Sequence, residues 1–147
     1  MVLDSVGLVA TNPHGYSGTP LDKKLGIKPG HRVLVSHPPA GFLDQTLGPV
    51  PGALITTRAG KTPYDMVIAF HSNQRSYRRD LKRDIGRITR DGSLWIGWPK
   101  KSSGIETDIN QDIVRELALA ARVVDVKVCA IDETWSGVKL VYRLSDR

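Results

Sequence analysis

The apolar residues of this chain fall into short β-branched runs separated by segments with helical spacing. Arg32-Val33-Leu34-Val35 reads as a first buried strand, Ala53 to Thr57 as a second, and Met66 to Phe70 as a third with Asp65 at its mouth. Leu94 to Trp98, Val123 to Ile131 and Val138 to Arg143 supply three more. Between them, Thr19 in an N-cap position, Pro20 at the first helical position and Gly26 as C-cap predict a short helix over Pro20 to Leu25. A short amphipathic stretch runs from Phe42 to Leu47. Tyr77, Leu81, Ile85 and Ile88 recur at i, i+4, i+8 and i+11, the narrow stripe of a helix between Asn73 and Arg90. Asp91-Gly92 turns that helix into the fourth strand. Asp108 followed three residues later by Gln111 predicts a capping box before a helix with Ile109, Ile113, Leu117 and Ala120 inward, ending near Arg122. The first fifteen residues carry no period and read as a mobile arm, leaving one domain over 16–147.

Strands alternating with helices predict an α/β domain of three layers, a mostly parallel sheet joined by right-handed crossovers. Only a few residues, Asp132-Glu133-Thr134 among them, separate the last two strands. That is too short for a crossover, so those strands form an antiparallel hairpin. A parallel sheet closed by such a hairpin resembles the class I methyltransferases, a Rossmann-like fold. The resemblance implies a strand order, in chain numbering, of 2-1-3-4-6-5.

At 147 residues the chain can build one core without staples, and its single cysteine, Cys129, excludes an internal disulfide and suits a reducing compartment. Cys129 lies in a Val-rich strand and reads as a buried apolar thiol. No apolar run approaches the ~20 residues that span a bilayer. The segment after Met1 carries Asp4 and no basic residue, unlike a signal peptide. These features predict a soluble cytoplasmic protein with no membrane partner. The net charge is +6, and seven basic residues against two acids between Asn73 and Arg90 account for most of it. The basic side chains fall opposite the apolar stripe, as on a solvated outer helix. Arg79, Arg83 and Arg87 repeat at i, i+4, where like charges repel. Together with Arg75 they form a candidate nucleic-acid face.

Two blocks carry a closer likeness. One is Tyr16-Ser17-Gly18-Thr19-Pro20-Leu21 with Lys24-Leu25-Gly26 and Pro29-Gly30. The other is Trp98-Pro99-Lys100-Lys101 with Ser103-Gly104, then Val124 to Ala130 and Asp132-Glu133-Thr134-Trp135-Ser136-Gly137. Together they resemble a bacterial family catalogued as domain-of-unknown-function family 3052, from about Tyr16 to Arg143. That resemblance implies a fold and no activity.

The methyltransferase resemblance implies a glycine-rich cofactor turn after the first strand, an acid ending the second, and an acidic-Pro-Pro-aromatic motif after the third. The chain has Ser36-His37-Pro38-Pro39-Ala40-Gly41, Thr56-Thr57-Arg58 and Phe70-His71-Ser72-Asn73 at those places. The first turn has one glycine, and its two prolines remove backbone donors. All three features are missing, so no S-adenosylmethionine or other cofactor is expected.

Ligands of open α/β sheets sit beyond the strand C-termini where strand order reverses. That edge gathers Ser36 and His37 from strand 1 and His71 and Ser72 from strand 3, with the two histidines on neighbouring strands. It also gathers Lys100, Lys101, Ser102 and Ser103 after strand 4, and Glu133 and Trp135 from the hairpin. The lysines, hydroxyls and Gly104 amide suit an anionic small molecule or an acidic protein partner. Trp135 reads as packing over the sheet edge. The two histidines have no third ligand at metal spacing, so no metal site is expected. No nucleophile elbow is present either. The sequence therefore points to a non-catalytic ligand- or partner-binding, regulatory module. A small-molecule enzyme, such as a divergent methyltransferase, and a nucleic-acid-associated protein using the basic helix stay open beside it.

Overall fold

The computed structural model describes residues 18–147; the expected arm over 1–15 and the first two residues of the expected domain lie outside them. The described chain runs α1 (Leu21–Leu25), β1 (Arg32–Ser36), a π-helical turn (Phe42–Leu47), β2 (Leu54–Thr56) and β3 (Tyr64–Phe70). It continues through α2 (Gln74–Ile85), β4 (Ile88–Pro99), α3 (Gln111–Ala120), β5 (Val123–Ala130) and β6 (Trp135–Tyr142). The six strands form one sheet in the order β2-β1-β3-β4-β6-β5. β1, β2, β3 and β4 pair in parallel, while β6 is antiparallel to both β4 and β5. This is the expected order and hairpin.

Pleat alternation splits the sheet's apolar residues into two cores. Leu34, Val67, Leu94, Ile96 and Leu140 face α2 and α3 through Tyr77, Leu81, Ile85, Val114 and Ala118. Val33, Val35, Met66, Ile68, Phe70 and Trp95 face α1 and the π-helical turn through Leu21, Leu25, Phe42 and Leu47. Burying sheet and helix faces in this way is the main favourable term of the fold. The Trp95 indole N–H donates to the Leu25 carbonyl at 2.9 Å, tying α1 to the sheet.

Several expected boundaries move. Pro20, not Thr19, is the N-cap of α1, and no side chain caps it, while Gly26 ends it in the left-handed conformation. The helix over Asn73 to Arg90 stops at Ile85; Ile88 to Arg90 belong to β4. β4 runs on through Asp91-Gly92, where a turn was expected, because a bulge opposite Tyr64 and Met66 absorbs the extra residues. Asn110, not Asp108, caps α3, accepting from the Ile113 amide at 2.9 Å. Asp108 instead accepts from the Gln74 amide at 2.8 Å and anchors the start of α2. Consequently Val114 and Ala118 form the inner face of α3, Ile113 and Leu117 are half-buried, and Ala120 is exposed.

Candidate functional site

Three elements meet at the C-terminal edge between β1 and β3. β3 is followed directly by His71, which is buried, and β1 runs into His37. Alternation would send His37 to the α1 side after Val33 and Val35. Its backbone is left-handed instead (φ 55°), a conformation uncommon outside glycine, and the ring turns to the α2 side. There His37 Nε2 lies 3.2 Å from Asp80 Oδ2, and its ring centroid is 5.8 Å from that of His71. The two histidines meet as their neighbouring strands predicted.

The third element supplies what the sequence reading did not. Asp80 and Asp84 sit one turn apart on the inner face of α2, 1% and 0% exposed, rather than among the solvated charges. The Tyr77, Leu81, Ile85 stripe was too narrow for a helix covering a sheet. Adding Asp80 and Asp84 gives i, i+3, i+4, i+7, i+8, the usual width of a buried face. Polarity hid the pattern.

Arginines clamp both carboxylates from outside. Arg79 Nε reaches Asp80 Oδ1 at 2.9 Å, and Arg83 reaches Asp80 Oδ2 at 3.3 Å and Asp84 Oδ1 at 3.6 Å. Arg87 approaches Asp84 Oδ1 at 3.3 Å. Three of the four arginines of the expected nucleic-acid face are thus engaged by buried acids, which explains their i, i+4 repeat. Only Arg75 keeps the role of a plain surface charge. Exchanging the three is therefore not a neutral surface change, because buried carboxylates would lose their counter-charges.

Burial pushes the Asp80 carboxyl upward, but hydrogen bonds from Arg79 and His37 and the Arg83 charge outweigh it and hold it at about 2. Burial dominates at Asp84, whose carboxyl is raised despite Arg83 and Arg87. His71 is pushed down to about 4, chiefly by burial, so its imidazole is neutral at physiological pH. His71 Nδ1 lies 2.7 Å from the Ser76 hydroxyl, and Ser76 reaches the Asn73 carbonyl at 3.3 Å. If the single Ser76 proton goes to that carbonyl, Nδ1 carries the His71 proton and Nε2 presents its lone pair inward. Among the described residues, His71 Nε2 and Asp84 Oδ2 are the buried side-chain polar atoms without a hydrogen-bond partner.

The other sequence candidates stand apart from this cluster. Lys101, Ser102 and Ser103 form a single 3₁₀ turn in which Ser103 donates to the Lys100 carbonyl at 2.7 Å and accepts from the Ile105 amide. That hydroxyl is spent on the loop itself. The Lys100 amide donates to the Thr134 carbonyl at 2.8 Å, and its ammonium helps lower the pKa of Lys24, on the α1 side of the sheet. Lys101 and Ser102 are exposed. The concave space beside Ser72, about 360 Å³, is lined by Glu106, Thr107 and Asp108. Carboxylates there oppose the expected anion. Asp132 accepts from the Thr134 and Trp135 amides, both at 2.8 Å, and shapes the hairpin turn, while Glu133 is exposed. Trp135 packs edge-on against Phe70 at 5.2 Å. Ser36 is half-buried at the end of β1. Cys129 is only half-buried, and burial raises its thiol pKa.

At the places a methyltransferase uses for its cofactor, the turn after β1 holds His37, Pro38 and Pro39. The end of β2 holds Thr56, whose hydroxyl accepts from the Arg58 amide at 3.1 Å. No family model matches the chain, family 3052 included, and no curated protein matches it. Solved structures do match. A magnesium protoporphyrin IX methyltransferase from Synechocystis PCC 6803 with bound SAH shares 11% identity over 84% of this chain and 82% of its own, with TM-score 0.58. A SAM-dependent methyltransferase from Aquifex aeolicus shares 14% over 86% and 90%, with TM-score 0.54. A methyltransferase-type protein from Thermoplasma acidophilum shares 9% over 88% and 76%, with TM-score 0.53. Identities this low speak to architecture, and the architecture is that of the class I methyltransferases.

Proposed function

We propose that this protein is a non-catalytic ligand-binding, regulatory module on a degenerate methyltransferase-like fold, with its working site between the C-terminal ends of β1 and β3. The observation that carries this reading is the buried His71–Asp80–Asp84 constellation, with His37 at its rim, at the point where strand order reverses. Buried charges are costly to build, and clusters with strongly perturbed ionisation concentrate at functional sites. The β1 turn supports the non-catalytic half of the reading. Pro38 and Pro39 lack backbone N–H groups, and the end of β2 offers Thr56-Thr57-Arg58 in place of a ribose-binding carboxylate. The alternative, a divergent S-adenosylmethionine-dependent methyltransferase, is supported by fold alone.

Calorimetric titration of the purified protein with S-adenosylmethionine and with S-adenosylhomocysteine tests this directly. No measurable binding is expected from either. A dissociation constant in the low micromolar range would overturn the reading in favour of the enzyme.

A further inference from the structure

We propose that His71, Asp80 and Asp84 form a binding site for a divalent first-row transition cation, with His37 as a fourth donor from the solvent side. This deepens the reading above by naming the chemical class of ligand, and it rests on the same edge being the working site.

The three residues each offer one donor atom, and those atoms all lie within 4.8 Å of one another. Zinc bonds to imidazole nitrogen and carboxylate oxygen at about 2.0–2.2 Å, so donors of a tetrahedral site are about 3.3–3.6 Å apart. Binding therefore requires the side chains to draw together by up to about 1.5 Å. Two of the three residues also carry the buried side-chain atoms that have no hydrogen-bond partner among the described residues, Asp84 Oδ2 and His71 Nε2. A buried polar atom left without a partner is costly, and a cation held by this cluster would give both atoms a partner.

The surroundings match what metal ligands require. Ser76 holds His71 Nδ1 at 2.7 Å and fixes the ring, as the outer partner of a ligating histidine does. Arg83 and Arg87 hold Asp84 Oδ1 and leave its Oδ2 unpartnered. Both oxygens of Asp80 are already engaged, Oδ1 by Arg79 and Oδ2 by Arg79, Arg83 and His37, so Asp80 would have to exchange part of that clamp for the metal. His37 Nε2 stands 3.2 Å from Asp80 Oδ2 with its side chain half-exposed, able to exchange that hydrogen bond for a metal bond and to serve as the entry. Its left-handed backbone is the kind of local strain that collects at ligand clamps. Two imidazoles and two carboxylates favour zinc, iron(II) or a neighbouring ion over magnesium or calcium, which prefer oxygen donors. The guanidinium charges oppose a cation, so micromolar rather than nanomolar affinity is expected.

The experiment is calorimetric titration of the tag-free, chelator-treated chain with zinc chloride, alongside the His71→Ala, Asp84→Asn and Lys101→Met variants. One zinc per chain is expected, weakened at least tenfold in the first two and changed less than twofold in the third. Urea unfolding of each variant identifies any that fails to fold. The wild-type cobalt(II) complex gives a second readout that needs no variant: its visible absorption should have the intensity of a four-coordinate site. Absence of zinc binding to the wild type, zinc affinity unchanged in folded His71→Ala, or an octahedral cobalt spectrum would overturn the proposal. The S-adenosylmethionine titration reads the underlying assignment separately, so a failed metal site and a failed binding-module reading give different results.

Discussion

Gly137 on β6 pairs with Gly97 on β4, and the space their missing side chains leave on the α1 face is filled by Ile131 and Phe70. A Cβ at position 137 would stand 2.8 Å from Ile131 Cδ1, 3.0 Å from Ile131 Cγ1 and 3.3 Å from Trp95 Cε3. Ile131 and Trp95 are 1% and 0% exposed, so neither can swing into solvent. Overpacking of this kind costs about 1–3 kcal/mol. Against it, replacing glycine at a backbone geometry open to alanine stabilises by about 0.4–1 kcal/mol through the unfolded chain. Gly137→Ala is therefore expected to destabilise by about 1–2 kcal/mol in urea unfolding. Ile131→Val removes the atom nearest the clash and alone costs about 0.5–1.5 kcal/mol. In the double variant the two losses should fall short of additivity by at least ~0.5 kcal/mol, since the second change relieves the first. A neutral Gly137→Ala, or a cycle that is additive within error, would show that the slot is not close-packed and refute the reasoning. The slot matters to the edge above it, because Phe70 carries Trp135 and ends in the backbone that presents His71.

Two further outcomes follow from α2. Replacing Arg79, Arg83 and Arg87 together with Gln strips the counter-charges from Asp80 and Asp84; a loss of about 2 kcal/mol is expected in denaturant unfolding, reduced from the cost of a fully buried pair because the arginines are partly solvated. A change within ~0.5 kcal/mol would return the helix to an ordinary solvated face. The buried Tyr77 hydroxyl donates to the Val114 carbonyl at 2.8 Å and links α2 to α3, so Tyr77→Phe should cost about 1 kcal/mol by thermal or urea unfolding. A neutral result would mean that the carbonyl finds another donor.

The sequence by itself determined the order of elements and the hairpin, while the strand neighbours came from the resemblance to the class I methyltransferases and agree with the observed sheet. Val33-Leu34-Val35 and Met66 to Phe70 are short apolar runs with β-branched residues and flanking turn residues, which favours buried strands over helix, and the few residues before Trp135 leave no room for a crossover. Placing His37 and His71 side by side follows from that strand order. The sequence also showed that the usual cofactor residues are missing, since that depends on residue type at known strand ends. Only the tertiary structure decided which way side chains turn. The left-handed backbone at His37 carries its ring across the sheet, against strand alternation, and nothing in Ser36-His37-Pro38 announces it. Asp80 and Asp84 read as surface charges because burial of a carboxylate is costly; their arginine partners on the same helix were legible in the i, i+3 spacing, but that the sheet would cover the face carrying the two acids was decided only by the packing. Local sequence fixes backbone preference and hydrophobic period. Where a charge ends up depends on what surrounds it.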